Sequence, residues 1–532
     1  MDYTVADALR ARVAADPLQR LVKCGGEWLT AAEVNELSAR VAAGLLGLGM
    51  RKGDRLLVML PNRQEMVEVF FACARSGVVQ VPVNIYLKGE FLAYQVRDSQ
   101  SRVAITDRAG LRSLTPLLDQ TALEQIVLVD QLDDDDADLA IPVLPYLSLK
   151  NTADEAPAVD LTDADLVSIL YTSGTTGPSK GCMLSNAYYT VAPKVFLEHH
   201  WLAADDRILT PLQLFHGAAH NVLMQGLVAP RGAVCFETSF SASTFMRRAR
   251  EESATLLWLL PPMAMAVLAQ QAKPGDAPLS SVRLVACPGL PLHAQLGFEQ
   301  RFGGRVGAEM YGQTEGLGIA FGSLTETRRP GTLGRPGPHV EVRIVDDHDR
   351  DVAPGEPGEI VVRPRIAHCI YSGYWNNAEA TAAAWRNSWH HTGDMAIIDS
   401  DGVLTFVDRK KDSLRRRGEN VSSFELEAAI GQFSKVSQVA VSAVPSPLGE
   451  DDIKASIVLE AGATTSPEEI FEFLRTAVPY FAMPRYIDIR SSLPLTEATA
   501  RVQKHLLRAE GVTPAMWDLE KLGLAIDRTQ RR

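Results

Sequence analysis

Only six cysteines occur in the 532-residue chain, Cys24, Cys73, Cys182, Cys235, Cys287 and Cys369, and no two stand at a Cys-x-x-Cys or metal-ligand spacing. That scarcity argues against a disulfide scaffold or a structural zinc site and predicts reduced, mostly buried thiols. Positive charge is also short: 53 Lys and Arg against 65 Asp and Glu leave a net charge of -12. A nucleic acid or an anionic membrane needs a basic surface, so neither is expected as a partner. No long apolar run exists. The most apolar stretch, 256–268, is interrupted by Pro261 and Pro262 and is too short to span a bilayer. The opening Met1-Asp-Tyr-Thr-Val-Ala-Asp7 has no basic start followed by an apolar core, so no signal peptide is expected, and a cytoplasmic location is the default.

What is present is an ordinary globular composition, 46% hydrophobic and 22% charged, in a chain longer than one core usually organises, so at least two domains are predicted. Thr30-Ala-Ala-Glu33 reads as a capping box that opens an amphipathic helix, which Gly49 stops. A strand over 54–60, a helix over 65–76, a strand over 78–83, a helix over 90–99 and a strand over 102–106 follow. Such alternation predicts an α/β fold with a mostly parallel sheet covered by helices. Similar units recur over 240–259 and 279–286. From about 331 to 362 the texture changes to short alternating strands, which predicts a small β-rich subdomain. Asp133-Asp-Asp-Asp136 reads as a solvated loop. The predicted division is a large N-terminal domain of α/β subdomains over 1–408 and a small α+β C-terminal domain over 409–532, with a helix, strand, strand, helix order.

The segment Tyr171-Thr-Ser-Gly-Thr-Thr-Gly-Pro-Ser-Lys-Gly181 has the composition of a phosphate cradle. Gly174 and Gly177 let backbone N–H groups converge on an anion, Ser173, Thr175 and Thr176 add hydroxyls, and Lys180 adds a point charge. A buried strand over 165–170 leads into it. The spacing is not that of a Walker A loop, and no Ser or Thr follows the lysine.

Four further segments follow in order: Met310-Tyr-Gly-Gln-Thr-Glu-Gly316, His391-Thr-Gly-Asp394, Asp408-Arg409 with Arg415-Arg-Arg-Gly-Glu-Asn-Val421, and Val502-Gln-Lys-His-Leu-Leu-Arg508. With the glycine loop they resemble, over essentially the whole chain, the acyl-CoA ligase branch of the adenylate-forming superfamily, which includes firefly luciferase and peptide-synthetase adenylation domains. The resemblance implies Mg-ATP activation of a carboxylic acid to an acyl-adenylate, then transfer of the acyl group to coenzyme A. It implies catalytic roles for Lys180, Thr314, Glu315 and Arg501, with Glu315 and Thr176 at magnesium. The same resemblance places Thr172, the loop from Ser173 to Gly177, Gly289, Tyr311, Gly312, Asp394 and Arg409 at the nucleotide. Tyr311 would stack on adenine, and Asp394 would accept from the ribose hydroxyls. It further implies a mobile C-terminal domain rotating about a hinge near Lys411, with Gly418 leaving room for pantetheine and arginines such as Arg417 available to coenzyme A phosphates.

The last motif departs from the family pattern. Where the family has Thr-Gly-Lys-Val-Gln-Lys, this chain has Thr499-Ala-Arg-Val-Gln-Lys504, so Arg501 replaces the lysine that bridges the substrate carboxylate and the α-phosphate. Arginine keeps the charge but is a larger planar fork. Impaired adenylation with retained thioester formation is therefore expected, which would call for a separate adenylating ligase as partner. A full two-step synthetase, a non-catalytic adenylate-binding protein and transfer to a carrier-protein thiol are the alternatives. Drawn from the family, the acid pocket includes Phe215, His216, His220, Gly316 and Gly318, small enough in part to hold a bulky acid. The texture of 408–427 is similar to that of carnitine-CoA ligase-like members.

Overall fold

Thr30 accepts a hydrogen bond from the amide of Glu33 and its own amide donates to the Glu33 carboxylate, so helix Ala31–Gly47 begins at the foreseen capping box. At its far end Gly49 takes φ +85, a left-handed stop that a Cβ would resist. The structure is a computed structural model and describes residues 3–151, 159–172, 178–271, 278–409, 413–446, 449–494 and 502–527. It divides into two compact units. One comprises Met1–Asn84, Ser99–Leu170 and Gly181–Lys410; the other comprises Ile85–Asp98, Tyr171–Lys180 and Lys411–Arg532.

The first unit is built on three sheets. One sheet of seven strands runs in the order Val143–Pro145, Gln125–Leu128, Val103–Thr106, Arg55–Met59, Val79–Pro82, Leu166–Thr172 and Lys180–Ser185, and its neighbours pair in parallel from the first of these through Leu166–Thr172. A second of seven runs Arg305–Gly307, Leu284–Ala286, Leu256–Trp258, Arg207–Thr210, Ala233–Phe236, Arg20–Cys24 and Leu29–Thr30, parallel except for its last pair. Strand, helix, parallel strand is the arrangement that alternating period-2 and period-3.6 apolar patterns dictate. Val285, Leu257, Phe298 and Phe245 pack the core of the second sheet, each worth about 1.5–3 kcal/mol of burial. The apolar stretch flagged in the sequence splits there into strand Leu256–Trp258 and helix Pro261–Leu268, and its two prolines open the helix, where a missing N–H costs nothing.

The third sheet is antiparallel and larger than the small β-rich subdomain foreseen. It starts at Met310 and ends at Arg409, in the order Met310–Gln313, Gly316–Phe321, Thr332–Pro336, Leu404–Arg409, Trp389–Ile398, Pro357–Pro364 and Val340–Val345. One local reading is corrected. The acidic run at 133–136 is solvated only at its start: Asp133 and Asp134 are exposed, but Asp133 caps the short 3-10 turn Asp134–Asp138 and Asp136 is buried against the Arg108 guanidinium. The burial of Asp136 was not legible because its partner, Arg108, opens a helix 28 residues earlier.

Taken alone, the second unit has a hairpin, Ser413–Arg416 with Glu419–Ser422, and a four-stranded sheet, Val436–Pro445, Asp451–Leu459, Tyr486–Arg490 and Trp517–Asp518. Helices Ser423–Gly431 and Pro467–Ala477 match the predicted order. All six cysteines are free and buried. Among the described residues no helix is long and apolar enough to cross a membrane.

Candidate active site

Strands Met310–Gln313 and Gly316–Phe321 form a hairpin whose two-residue turn is Thr314-Glu315. Its register slips between Tyr311 and Gln313. Gly312 sits at the slip, where a Cβ would stand 3.1 Å from the Gly316 carbonyl oxygen and 3.2 Å from the Gly318 amide. Glycine lets the two strands approach this closely without displacing backbone, and the bulge re-aims the side chains on either side of it.

Asp394 lies on strand Trp389–Ile398, four strand intervals away in sheet order. On a flat sheet that is about 19 Å at the usual spacing. Yet the Tyr311 hydroxyl donates to Asp394 Oδ2 at 2.6 Å and Gln313 Nε2 donates to the same oxygen at 2.7 Å, so the sheet curls until its two parts meet. Asp394 is 6% exposed and Tyr311 9%. Burial, reinforced by the Asp394 charge, pushes the Tyr311 hydroxyl well above its ordinary range, so it stays a proton donor. The chain before Asp394 is fixed as tightly: its own amide donates to Thr392 Oγ1 at 3.1 Å, Gly393 donates to Glu359 Oε1 at 3.1 Å, and Gln313 also reaches the Thr392 carbonyl at 3.0 Å. Gly393 takes φ +73, which this tight turn needs.

Glu315 is oriented by a group the sequence reading passed over. Tyr374 donates its hydroxyl to Glu315 Oε1 at 2.8 Å, and the Tyr371 amide donates to the Glu315 carbonyl at 2.8 Å. Burial and the nearby Glu315 carboxylate raise the Tyr374 hydroxyl far above its usual range, which again keeps the proton on the donor. The Trp375 amide in turn donates to the Gly181 carbonyl at 2.7 Å and Tyr374 bridges to Cys182, tying this segment to the strand that leaves the glycine loop. A single oriented carboxylate suits magnesium, which takes one or two protein oxygens and completes its shell with water and phosphate. Among the described residues no group of three or more His, Cys, Asp or Glu side chains is placed to hold a metal ion.

Of the proposed acid-pocket residues, His216 caps helix Gly217–Val228, with its ring 4.7 Å from that of Phe215. His220 is fully buried, with Nδ1 3.1 Å from the Tyr189 hydroxyl and its ring 4.7 Å from that of Phe70. Burial pushes its imidazole down to about 3, so it is neutral at physiological pH. A Cβ on Gly318 would meet the Phe196 ring at 3.0 Å and one on Gly316 would meet Ile319 and Ile370 at 3.3 Å, so the space these glycines free is filled by protein. Gly289, at φ +77, faces open space instead.

Arg409 pairs by backbone with Asp394. Ser173, Gly174, Thr175, Thr176, Gly177, Lys411 and Arg501 lie outside the described residues. Thr172, Lys180, Arg417 and Gly418 belong to the second unit. There Ser179, next to Lys180, gives both its amide and its hydroxyl to Glu425 Oε1, at 2.8 and 2.6 Å. Arg417 and Gly418, at φ +56 and +83, form the two-residue turn of the hairpin. The triplet before that glycine is not uniformly available to a ligand: Arg416 is buried, bonded to the Met483 carbonyl and paired with Glu520 at 3.1 Å. Gln313, Glu359 and Tyr374 were missed in the sequence. Gln313 alone carried a signal, standing two residues from Tyr311 on one strand.

Residues 9–375 match the family described as AMP-binding enzyme, and 425–499 match the AMP-binding enzyme C-terminal domain. A feruloyl-CoA synthase of an Amycolatopsis species is 32% identical over 492 residues, 92% of this chain and 94% of the relative. A crotonobetaine/carnitine-CoA ligase of Salmonella paratyphi A is 31% identical, over 89% and 92%. Among solved structures, o-succinylbenzoate coenzyme A synthetase of Bacillus subtilis superposes with a TM-score of 0.81 at 23% identity, covering 96% of this chain and 99% of the other.

Proposed function

The chain belongs to the AMP-binding enzyme family of adenylate-forming acyl-CoA ligases, and on that premise we propose that it makes an acyl-CoA chiefly by passing a preformed acyl-adenylate to coenzyme A. The supporting observation is the pairing of an intact nucleotide constellation with an altered last motif. Asp394, with Tyr311 and Gln313 donating to one oxygen, is held as a hydrogen-bond acceptor for the ribose hydroxyls. Glu315, held by Tyr374, would ligate magnesium, which neutralises phosphate charge when bound. Thr314 shares the turn with Glu315 and would contact the phosphates beside it.

In a two-step ligase the substrate carboxylate attacks the α-phosphorus of ATP and pyrophosphate leaves. The thiolate of coenzyme A then attacks the acyl carbon of the mixed anhydride and AMP leaves. A lysine ammonium between carboxylate and α-phosphate serves the first step, where Arg501 now stands with Ala500 before it. A misplaced donor of this kind costs on the order of 10²–10³ in rate. The thiol step does not use it.

With His220 fully buried and the space beside Gly316 and Gly318 filled by protein, the acid is read from the remaining pocket candidates Phe215 and His216, neither a carboxylate. That favours an uncharged aromatic acid of the feruloyl type over a quaternary ammonium acid, whose cation wants a counter-charge or an aromatic cage. Screening hydroxycinnamic, benzoic and betaine acids beside their synthetic adenylates, with coenzyme A, tests both parts. The expected outcome is thioester from an aromatic adenylate and little pyrophosphate from the same acid with ATP. A normal ligase rate of pyrophosphate release would instead make the chain a full two-step synthetase.

A further inference from the structure

We propose that Glu450 is a positioning residue for the thiol step: its carboxylate holds the Arg417-Gly418 turn in the shape through which coenzyme A reaches the acyl group. This inference rests on the reading that Gly418 borders the pantetheine route. Four observations within the second unit carry it. The Gly418 amide donates to both carboxylate oxygens of Glu450, at 3.2 and 3.1 Å. Glu450 is mostly buried, and Arg415 Nε lies 3.6 Å from it. The turn sets a non-glycine residue, Arg417, at φ +56 beside Gly418 at φ +83. A left-handed arginine costs about 1 kcal/mol or more and persists only where the surroundings over-determine it.

The surroundings here are a run of three consecutive acids that opens strand Asp451–Leu459. Glu450 takes the Gly418 amide, Asp451 takes the Arg415 amide at 3.0 Å, and Asp452 faces Arg416 Nε at 3.5 Å and Arg485 at 2.9 Å. Three acids thus receive the hairpin residue by residue, and at its tip Glu450 holds the Gly418 backbone while Glu520 pairs with the Arg417 side chain. Arg417, 38% exposed, pairs at the surface with Glu520 at 3.4 Å, and its guanidinium lies 5.8 Å from the Tyr480 ring centre. These contacts of Glu450 are with the hairpin, so its influence runs through the turn.

The test compares wild type, Glu450→Ala and Glu450→Gln in acyl transfer from a synthetic aromatic acyl-adenylate, feruloyl-adenylate first, to coenzyme A. Mg-ATP affinity by calorimetry and amide exchange of the 413–422 hairpin are measured alongside. Removing a charged acceptor predicts a rise in the KM for coenzyme A of roughly 10-fold or more in the alanine variant. Faster exchange at the hairpin and unchanged Mg-ATP affinity should accompany it, and glutamine, which keeps one acceptor, should restore most of the affinity for coenzyme A. An unchanged KM in the alanine variant, or an equal loss of coenzyme A and Mg-ATP affinity, would overturn the role of Glu450 alone. If the alanine variant fails to fold, an unchanged glutamine variant with an exchange-labile hairpin does the same. A wild-type protein that transfers no acyl group from any adenylate tested overturns this inference together with the reading beneath it.

Discussion

Hydroxyls kept protonated by burial hold the carboxylates of the proposed nucleotide site. Tyr311 and Tyr374 each donate to an acid that burial would otherwise leave poorly partnered, and burial keeps both phenols protonated. Tyr374→Phe removes one bond to a charged group, worth about 1.5–3 kcal/mol, so Mg-ATP affinity measured by calorimetry should fall roughly 10-fold. Unchanged affinity would detach Tyr374 from Glu315. Asp394→Asn can turn its oxygen to Tyr311 and Gln313, leaving an NH2 donor where the ribose hydroxyls need an acceptor. AMP binding should therefore weaken roughly 10-fold while thermal stability changes little.

His220 makes a different prediction. Its folded value of about 3 lies below the ordinary 6.5, so its contribution is complete above 6.5 and is lost as pH falls toward 3. In that window the unfolded chain binds a proton that the folded site refuses. The slope from this residue approaches about 1.4 kcal/mol per pH unit. His220→Phe should flatten the acid limb of stability between about pH 6 and about pH 4.5, read by urea unfolding; an identical limb in both proteins would contradict a neutral, buried imidazole.

At the scale of elements, what the sequence made legible were the features whose causes are local. The capping box at Thr30, the glycine stop at Gly49 and the period-2 runs each act within a few residues, and each element fell where predicted. Tyr311, Glu315 and Asp394 were visible because they sit inside recognisable motifs. Tyr374, Glu359 and the buried role of Asp136 were not, because their partners come from other strands and turns. Strand Asp451–Leu459 likewise opens on Asp451-Asp-Ile-Lys454, a mostly charged stretch that does not read as strand by its apolar pattern. Two of those leading residues are acids, stabilised as strand by arginines that lie far off in sequence.

The hairpin Ser413–Arg416 with Glu419–Ser422 yields a prediction of its own. Arg416 is 4% exposed among Asp452, Glu520 and the Met483 carbonyl, and burial pulls its guanidinium down to about 10. Arg416→Ala strands buried acceptors, which typically costs about 3–5 kcal/mol. The second unit should unfold at clearly lower urea, with amide exchange of 413–422 rising first, whereas unaltered exchange would show the hairpin to be held by other means.

For the whole molecule, the alternation of helices and strands foretold an α/β protein with a small α+β region after it, and the collinear motifs foretold the family. The extent of the antiparallel sheet from Met310 to Arg409 was not foretold, since its register depends on the bulge at Gly312 and on side chains meeting across a curled sheet. The substitution at Arg501 bears on the molecule as a whole because, on the function proposed above, it would separate two half-reactions that one ligase normally couples. Arg501→Lys should raise pyrophosphate release from ATP and the active acid by roughly 10-fold or more, with little effect on transfer from the adenylate. The most direct measurement compares two rates on one preparation of the wild-type protein: pyrophosphate release from ATP and acid, and acyl-CoA formation from that acid's synthetic adenylate. Thioester formation faster by roughly 10²–10³ is the expected result, and pyrophosphate release that keeps pace with it would contradict a ligase specialised for the second step.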